Sequence, residues 1–136
     1  MGGSLNLLSP AEYWHLLNQN KKVVIEMTIL EMYEKISLKA PIEQRKFFNY
    51  YDDSVNELMA TYDIVIEDGK TYAPITDLYE NNVVLPLYHN AIVDNILFMI
   101  SNETNYKSEF IRKSKEAYLS YWNKKAKGTR QRRMRW

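Results

Sequence analysis

The clearest hydrophobic pattern in the chain lies between Ile42 and Tyr62. Apolar residues recur there at intervals of three and four, which places them along one side of an α-helix. They are Phe47, Phe48, Tyr51, Val55, Leu58, Met59 and Tyr62. The pattern predicts a helix over residues 42–62 that buries one face against the rest of the protein.

Other segments also have helical patterns. Residues 86–101 begin with proline, which suits the first position of a helix, and are apolar around most of the circumference. That distribution predicts a central helix. Residues 106–125 are amphipathic and stop before Gly128, a residue type that commonly terminates helices. Near the N-terminus, Ser9 followed by proline predicts the start of a short helix.

The pattern between residues 22 and 38 fits two kinds of structure. Alternate positions are apolar from Val23 to Ile29, as in a β-strand. Apolar residues at helical spacing extend further, to Ile36, so a helix is the favoured interpretation. Pro41 then predicts a break, because proline disfavours the helical conformation in the residue before it.

A β-hairpin is predicted near residues 63–73. An Asp-Gly pair stands there between two runs rich in β-branched and aromatic residues, and it suits the tight turns that join paired strands. Two strands alone are only marginally stable in water, so the hairpin needs support from the helices or from a second subunit. The residues expected to make that contact are Ile64, Ile66, Asp68, Gly69 and Tyr72.

Charge divides the chain into two unequal parts. Residues 1–111 carry 8 Lys/Arg and 16 Asp/Glu, whereas residues 112–136 carry 10 Lys/Arg and a single acid. The net charge of +1 therefore combines an acidic body, at −8, with a basic end, at +9. Such a division predicts that the basic end contacts another molecule.

The sequence contains no recognisable active site. There is no cysteine, which excludes a disulfide framework, a thiolate metal site and a cysteine nucleophile. His15 and His89 lack neighbours at the spacing of a metal motif, and Asp52 and Asp53 point in different directions on a helix. We therefore expect a protein that is not an enzyme and uses no cofactor or metal. No membrane helix is predicted, because the apolar stretches are far shorter than the ~20 residues that a span needs. No signal peptide is predicted either, because the N-terminus has no basic region followed by an apolar one.

The basic end supports three interpretations. Its lysine and arginine side chains could bind the phosphates of a nucleic acid, and Trp122 and Trp136 could stack on its nucleobases. Arg and Trp are also typical of protein interfaces, where Arg pairs with carboxylates. A solubilising tail is the third interpretation, although a terminal tryptophan favours an anchoring role. The candidate protein-interface residues are Lys124, Lys125, Lys127, Arg130, Arg132, Arg133, Arg135 and Trp136.

Three segments resemble the head–tail connector proteins of tailed bacteriophages, also called adaptor or head-completion proteins. Residues 47–59 (FFNYYDDSVNELM) resemble the first main helix of that family. Residues 85–97 (LPLYHNAIVDNIL) resemble the entry to its central helix. The final amphipathic helix with its basic tail resembles the C-terminal arm of the family, so the resemblance covers residues 42–136.

The resemblance implies a mainly α-helical bundle with one β-hairpin and an extended basic C-terminal arm. Residues 1–127 would form the connector-like domain and residues 128–136 the arm. The implied function is structural: a homo-oligomeric ring, typically twelve-fold, in the virion neck, assembled in the host cytoplasm. The ring would dock on the portal protein, bind further neck or tail proteins, and let DNA pass without sequence-specific binding. A small helical nucleic-acid-binding regulator that uses the basic tail is the alternative.

Overall fold

The computed structural model describes residues 26–133, with side chains as far as Lys124. Four α-helices make up most of this part of the chain, which confirms the prediction of a mainly α-helical fold. They are α1 (Ile29–Lys39), α2 (Gln44–Thr61), α3 (His89–Ser101) and α4 (Thr104–Arg133). A 3₁₀ turn, Pro86–Tyr88, leads directly into α3. The helix predicted from Ser9 and residues 22–25 of the ambiguous segment lie outside the described residues.

The ambiguous segment is helical where the structure describes it. α1 begins with a capping box: the Thr28 hydroxyl accepts from the Glu31 N–H at 3.0 Å, and the Glu31 carboxylate accepts from the Thr28 N–H at 2.9 Å. These bonds satisfy N–H groups that have no partner inside the first turn. The buried face of α1 consists of Ile29, Met32 and Ile36. Helical spacing therefore outweighs the strand-like alternation.

The two clearest sequence patterns are confirmed. α2 lies within the predicted residues 42–62, and the 3₁₀ turn with α3 fills the predicted residues 86–101. The buried residues of α2 are Phe47, Tyr51, Ser54, Val55 and Leu58. α3 is central: residues 91–97 are all buried, and the helix packs against α1, α2 and α4.

α3 and α4 are joined by a very short connection, Asn102 and Glu103. Asn102 adopts the left-handed conformation, with φ of 63°, which asparagine tolerates better than most residues. Its N–H donates to the Phe98 carbonyl at 2.7 Å and satisfies one of the free carbonyl groups at the end of α3. A connection of this length turns the chain back, so that α4 packs along α3.

The register of this pair shows where α4 leaves the body. Near the connection, the Lys107 ammonium lies 5.6 Å from the centre of the Phe98 ring. Further along, Lys113 Nζ lies 2.6 Å from Asp94 Oδ2, so the two helices run in opposite directions. Continued in this register, the first residue of the 3₁₀ turn lies opposite position 120 of α4. Residues 120–133, which we call the distal segment, therefore extend beyond α3 by about 20 Å at 1.5 Å per residue.

The predicted β-hairpin does not form in the described residues, although its turn is present. Gly69 has a φ of 78°, a conformation that favours glycine, and the Lys70 N–H donates to the Glu67 carbonyl at 3.0 Å. Beyond the turn, however, the chain does not pair with the segment before it. The local turn chemistry was predicted correctly and the strand pairing was not.

The segment before the turn pairs with a later part of the chain. Ile66 and Val84 form an isolated antiparallel bridge, and the Leu85 N–H donates to the Val65 carbonyl at 2.9 Å. Val65 and Val84 are both buried, whereas the residues just after the turn are largely exposed. Pairing with Val84 is favoured because it places apolar side chains in the core, which a local hairpin would leave in water.

The helix end predicted before Gly128 is wrong. The backbone of α4 continues through this glycine to Arg133. A glycine inside a helix costs about 0.5–1 kcal/mol relative to alanine, and the Lys, Arg and Gln residues around it are good helix formers. The extended conformation predicted for residues 128–136 is therefore absent from residues 128–133, and residues 134–136 lie outside the described part of the chain.

Candidate interaction surface

The distal segment concentrates positive charge. Residues 120–133 contain six Lys/Arg and no Asp/Glu. Residues 26–111 contain 15 Asp/Glu and 6 Lys/Arg. The distal segment, which runs beyond α3, and residues 26–111 therefore carry opposite net charges.

The predicted interface residues fall into three groups. Lys124 is the last residue with a described side chain, and it is exposed. Arg135 and Trp136 lie outside the described residues. The backbone of the distal segment carries Lys125, Lys127, Arg130, Arg132 and Arg133. At 3.6 residues per turn, these positions are distributed around the helix axis rather than along one side.

Three of the bases earlier in α4, Lys107, Arg112 and Lys113, pair with acids. Arg112 donates to the Glu109 carboxylate at 2.6 and 3.1 Å and to Glu116 at 2.9 Å. The Arg112 guanidinium lowers the pKa of the Glu109 carboxyl through these hydrogen bonds. From Lys124 onwards no acid lies within four residues of any base. Pairs along the helix therefore cannot neutralise the distal segment.

Large apolar side chains lead up to the distal segment. Ile111, Leu119 and Trp122 are 56%, 49% and 39% exposed. Their spacing of eight and three residues places them on the same face of α4. This apolar stripe ends where the run of bases begins, so α4 presents both apolar and positively charged surface.

An aromatic cluster holds α4 at the point where it leaves α3. The ring centres of Tyr62 and Tyr118 are 4.8 Å apart, and those of Tyr62 and Tyr88 are 6.0 Å apart. Trp122 packs edge-on against Tyr118 at 6.2 Å and against Tyr121 at 5.7 Å. Offset and edge-on contacts at these distances are attractive. The cluster joins α4 to the end of α2 and to the 3₁₀ turn, so it sets the direction of the distal segment.

The hydroxyl groups of the aromatic cluster are bonded to the same loop. Tyr118 donates to the Asp63 carboxylate at 3.1 Å, and Tyr88 donates to the Ile64 carbonyl at 2.9 Å. Burial raises the pKa of Tyr88, and the nearby Tyr62, Tyr118 and Asp63 raise it further. The Tyr88 hydroxyl therefore stays neutral at physiological pH.

A buried polar network fixes the beginning of α4. The Lys107 ammonium donates to the Glu57 carboxylate and, at 3.1 Å, to Asn95 Oδ1, and it lies 4.7 Å from the centre of the Phe110 ring. Asn95 is only 1% exposed and donates to Ser54 Oγ at 2.9 Å. The network joins α2, α3 and α4. The sequence analysis assigned it no role; a polar residue inside the apolar pattern of α3 was the one signal.

The residues expected to make the hairpin contact are separated by the structure. Ile64 and Ile66 are half-buried under the bridge, whereas Asp68 and Gly69 are exposed at the turn. Tyr72 is half-buried and donates its hydroxyl to an α2 carboxylate at 2.6 Å. Of this set, the turn is the part that is accessible to a partner.

Over residues 26–133, no group of three or more His, Cys, Asp or Glu is placed to hold a metal ion. No helix in that range is long and apolar enough to cross a bilayer. The described clefts are shallow and open; one of about 390 Å³ is lined by Tyr51, Tyr72 and Tyr79.

In comparisons with known proteins, no protein-family model, no curated protein and no solved structure matches this chain. A function for this chain is therefore inferred from its own residues and from the three segments that resemble connector proteins.

Proposed function

We propose that this chain is a structural subunit of the neck of a tailed bacteriophage. Copies assemble into a ring that docks on the portal protein and links the DNA-filled head to the tail. The observation that carries the proposal is the distal segment, a basic helical segment without acids that runs past the end of α3, in a chain whose other described residues are mainly acidic. A subunit of this kind has one end suited to the acidic surface of a neighbouring protein.

The positions of the three connector-like segments support this proposal. Residues 47–59 lie in α2, and residues 85–97 form the 3₁₀ turn and most of α3. The third segment is α4, which packs along α3. The resemblance therefore covers three helices that pack on one another rather than unconnected pieces of the fold.

The charges support different roles for the two parts. Arg pairs with carboxylates in a bidentate geometry and is common at protein interfaces, which suits the distal segment to docking. Residues 26–111 have a net charge of −9. A ring of such subunits repels DNA phosphates at close range, which suits a channel through which DNA slides. The exposed turn at Asp68 and Gly69 provides a second contact within the ring or towards the next protein.

The alternative is a small nucleic-acid-binding regulator. Two features favour this alternative. Lysine and arginine positions are distributed around the axis of the distal segment, and the partly exposed Trp122 lies beside them. Such a helix binds phosphates through counterion release, so its affinity for duplex DNA falls with salt by a slope of about −0.9 per neutralised phosphate.

Two charge-matched variants separate docking from a general effect of charge. The first replaces the last four arginines of the chain with glutamine, at Arg130, Arg132, Arg133 and Arg135. The control replaces four exposed lysine and arginine residues of the body with glutamine, at Lys39, Arg45, Lys46 and Lys70. Both variants lose four positive charges, and far-UV circular dichroism checks that both remain folded.

Size-exclusion chromatography with light scattering then measures assembly, alone and with the portal protein of the same phage. We expect the control to form rings and bind the portal as the wild type does, and the arginine variant to remain monomeric. Equal assembly of the two variants would show that the distal segment is not the docking element. Salt-dependent binding of duplex DNA by a monomeric wild type would favour the regulator instead.

A further inference from the structure

His89 is buried at the start of α3 with both ring nitrogens in use. It is 1% exposed. Its Nδ1 accepts from the Met27 N–H at 2.9 Å, and its Nε2 lies 2.8 Å from the Val84 carbonyl oxygen. Nδ1 faces a backbone donor and must accept, whereas Nε2 faces a carbonyl oxygen and must donate. The neutral imidazole with its proton on Nε2 satisfies both groups. The surroundings therefore select one tautomer and one charge state.

Met27, whose N–H donates to His89, is also held through its carbonyl group. Asn82 Nδ2 donates to the Met27 carbonyl at 2.8 Å, and Asn82 Oδ1 accepts from the Tyr51 hydroxyl at 2.6 Å. Met27 lies just before α1, at the entry point of the first described helix. These side chains connect that entry point to α2, to α3 and to the bridge. We call Met27, Tyr51, Asn82, Val84 and His89 the entry latch.

Several charged groups face the entry latch. Glu26 and Glu67 favour protonation of His89, and Lys70 lines the same open cleft of about 490 Å³. Lys35, on α1, is held by Asn90 at 3.3 Å beside the latch. Burial is the largest effect and lowers the pKa of His89 below its ordinary value. The imidazole is therefore neutral at neutral pH.

We propose that the entry latch is a proton-controlled switch. When Nδ1 of His89 takes a proton from water in the cleft, it becomes a donor that faces the Met27 N–H, itself a donor. The Met27 hydrogen bond is lost, a buried charge is created, and residues 26–28 separate from the start of α3. The switch acts on residues 26–28, at the start of the described chain, and it does not depend on the proposed role in a virion.

The pH dependence has a defined sign. Because the folded protein holds His89 neutral, its pKa is lower in the folded than in the unfolded chain. Between these two values the unfolded chain binds more protons, so stability rises with pH. The contribution of His89 is complete above the ordinary pKa of histidine, about 6.5, and it is lost as pH falls below that value.

Nuclear magnetic resonance of the ¹⁵N-labelled full-length protein tests the switch. Long-range proton–nitrogen spectra at neutral pH should show His89 protonated on Nε2 alone. Hydrogen exchange of the Met27 amide, corrected for intrinsic rates, should lose about tenfold or more in protection between about pH 7.5 and about pH 5, as expected when a buried donor loses its acceptor. The amides of Ala40 and Tyr62, which bond within their own helices, should keep their protection.

Substitution of each histidine provides the controls. His89→Asn keeps an oxygen acceptor but cannot titrate, so we expect the protection of Met27 to become independent of pH. His15→Asn should behave as the wild type. A wild-type Met27 amide equally protected at both pH values, or a neutral-pH proton on Nδ1, would overturn the proposal. So would an equal loss of protection in His89→Asn; if that variant does not fold, the wild-type titration alone decides.

Discussion

Lys107→Met tests which contact of the buried polar network stabilises α4. The substitution removes the ammonium group and keeps an unbranched apolar side chain, and a methionine sulfur still contacts the Phe98 and Phe110 rings favourably. The Lys107 and Glu57 side chains are 29% and 42% exposed, so water screens this ion pair to about 0.2–1 kcal/mol. Asn95 is 1% exposed. When its side-chain carbonyl oxygen loses the Lys107 donor, the unsatisfied buried acceptor lowers stability by about 1–3 kcal/mol.

We therefore expect Lys107→Met to lower the free energy of unfolding by about 2 kcal/mol, mostly through Asn95. Urea denaturation followed by circular dichroism measures this change. Two double-mutant cycles divide it: one combines Lys107→Met with Glu57→Gln, and the other combines it with Asn95→Ala. The coupling energy to Asn95 should be the larger, and the coupling to Glu57 should fall further in high salt. A larger coupling to Glu57 would refute this reasoning and make the ion pair the main attachment.

Substitutions at three further positions test local features of the fold. Thr28→Ala removes the side-chain cap of α1 and should lower the free energy of unfolding by about 1 kcal/mol, measured by urea denaturation. Gly69→Val should lower the free energy of unfolding by about 1–2 kcal/mol, and Gly69→Asn by clearly less, because asparagine tolerates a positive φ better. A Cβ at position 69 meets nothing within 4 Å. Equal losses in the two variants would therefore contradict an origin in the backbone conformation. Gly128→Ala should stabilise the protein by about 0.5–1 kcal/mol in urea denaturation, because position 128 is helical. A destabilised variant would contradict a continuous helix there, since alanine is unfavourable where a glycine ends a helix with a positive φ.

The helices were predictable because their signals are local. Phe47, Tyr51, Val55 and Leu58 repeat at helical spacing and are buried as predicted. The other members of the predicted stripe are less buried: Phe48 and Tyr62 are half-buried and Met59 is 38% exposed. The apolar circumference of α3 correctly predicted a central position. The strand pairing was not predictable in the same way, because an Asp-Gly turn specifies the bend and not the partner. Val84, 18 positions from Ile66, is selected by burial in the assembled core.

The polar interior could not be predicted from sequence. Asn95 and His89 are ordinary polar residues in the sequence pattern, and each acquires a role only when two other segments are brought beside it. Gly128 failed as a stop signal for a related reason, since its cost is smaller than the combined preference of its helix-forming neighbours. The basic end was evident from charge alone, but the segment that extends beyond α3 follows from the register of α3 and α4.

The bridge between Ile66 and Val84 also indicates where this protein can be lengthened. It holds together the two ends of a 17-residue loop, and the exposed Ala73 and Pro74 lie near the middle of that loop. The entropy of closing a loop grows slowly, by about 0.6 kcal/mol for each doubling of length. An epitope tag or fluorescent label inserted between these two residues should therefore leave the helical body intact, which provides an attachment point distant in sequence from both ends of the chain.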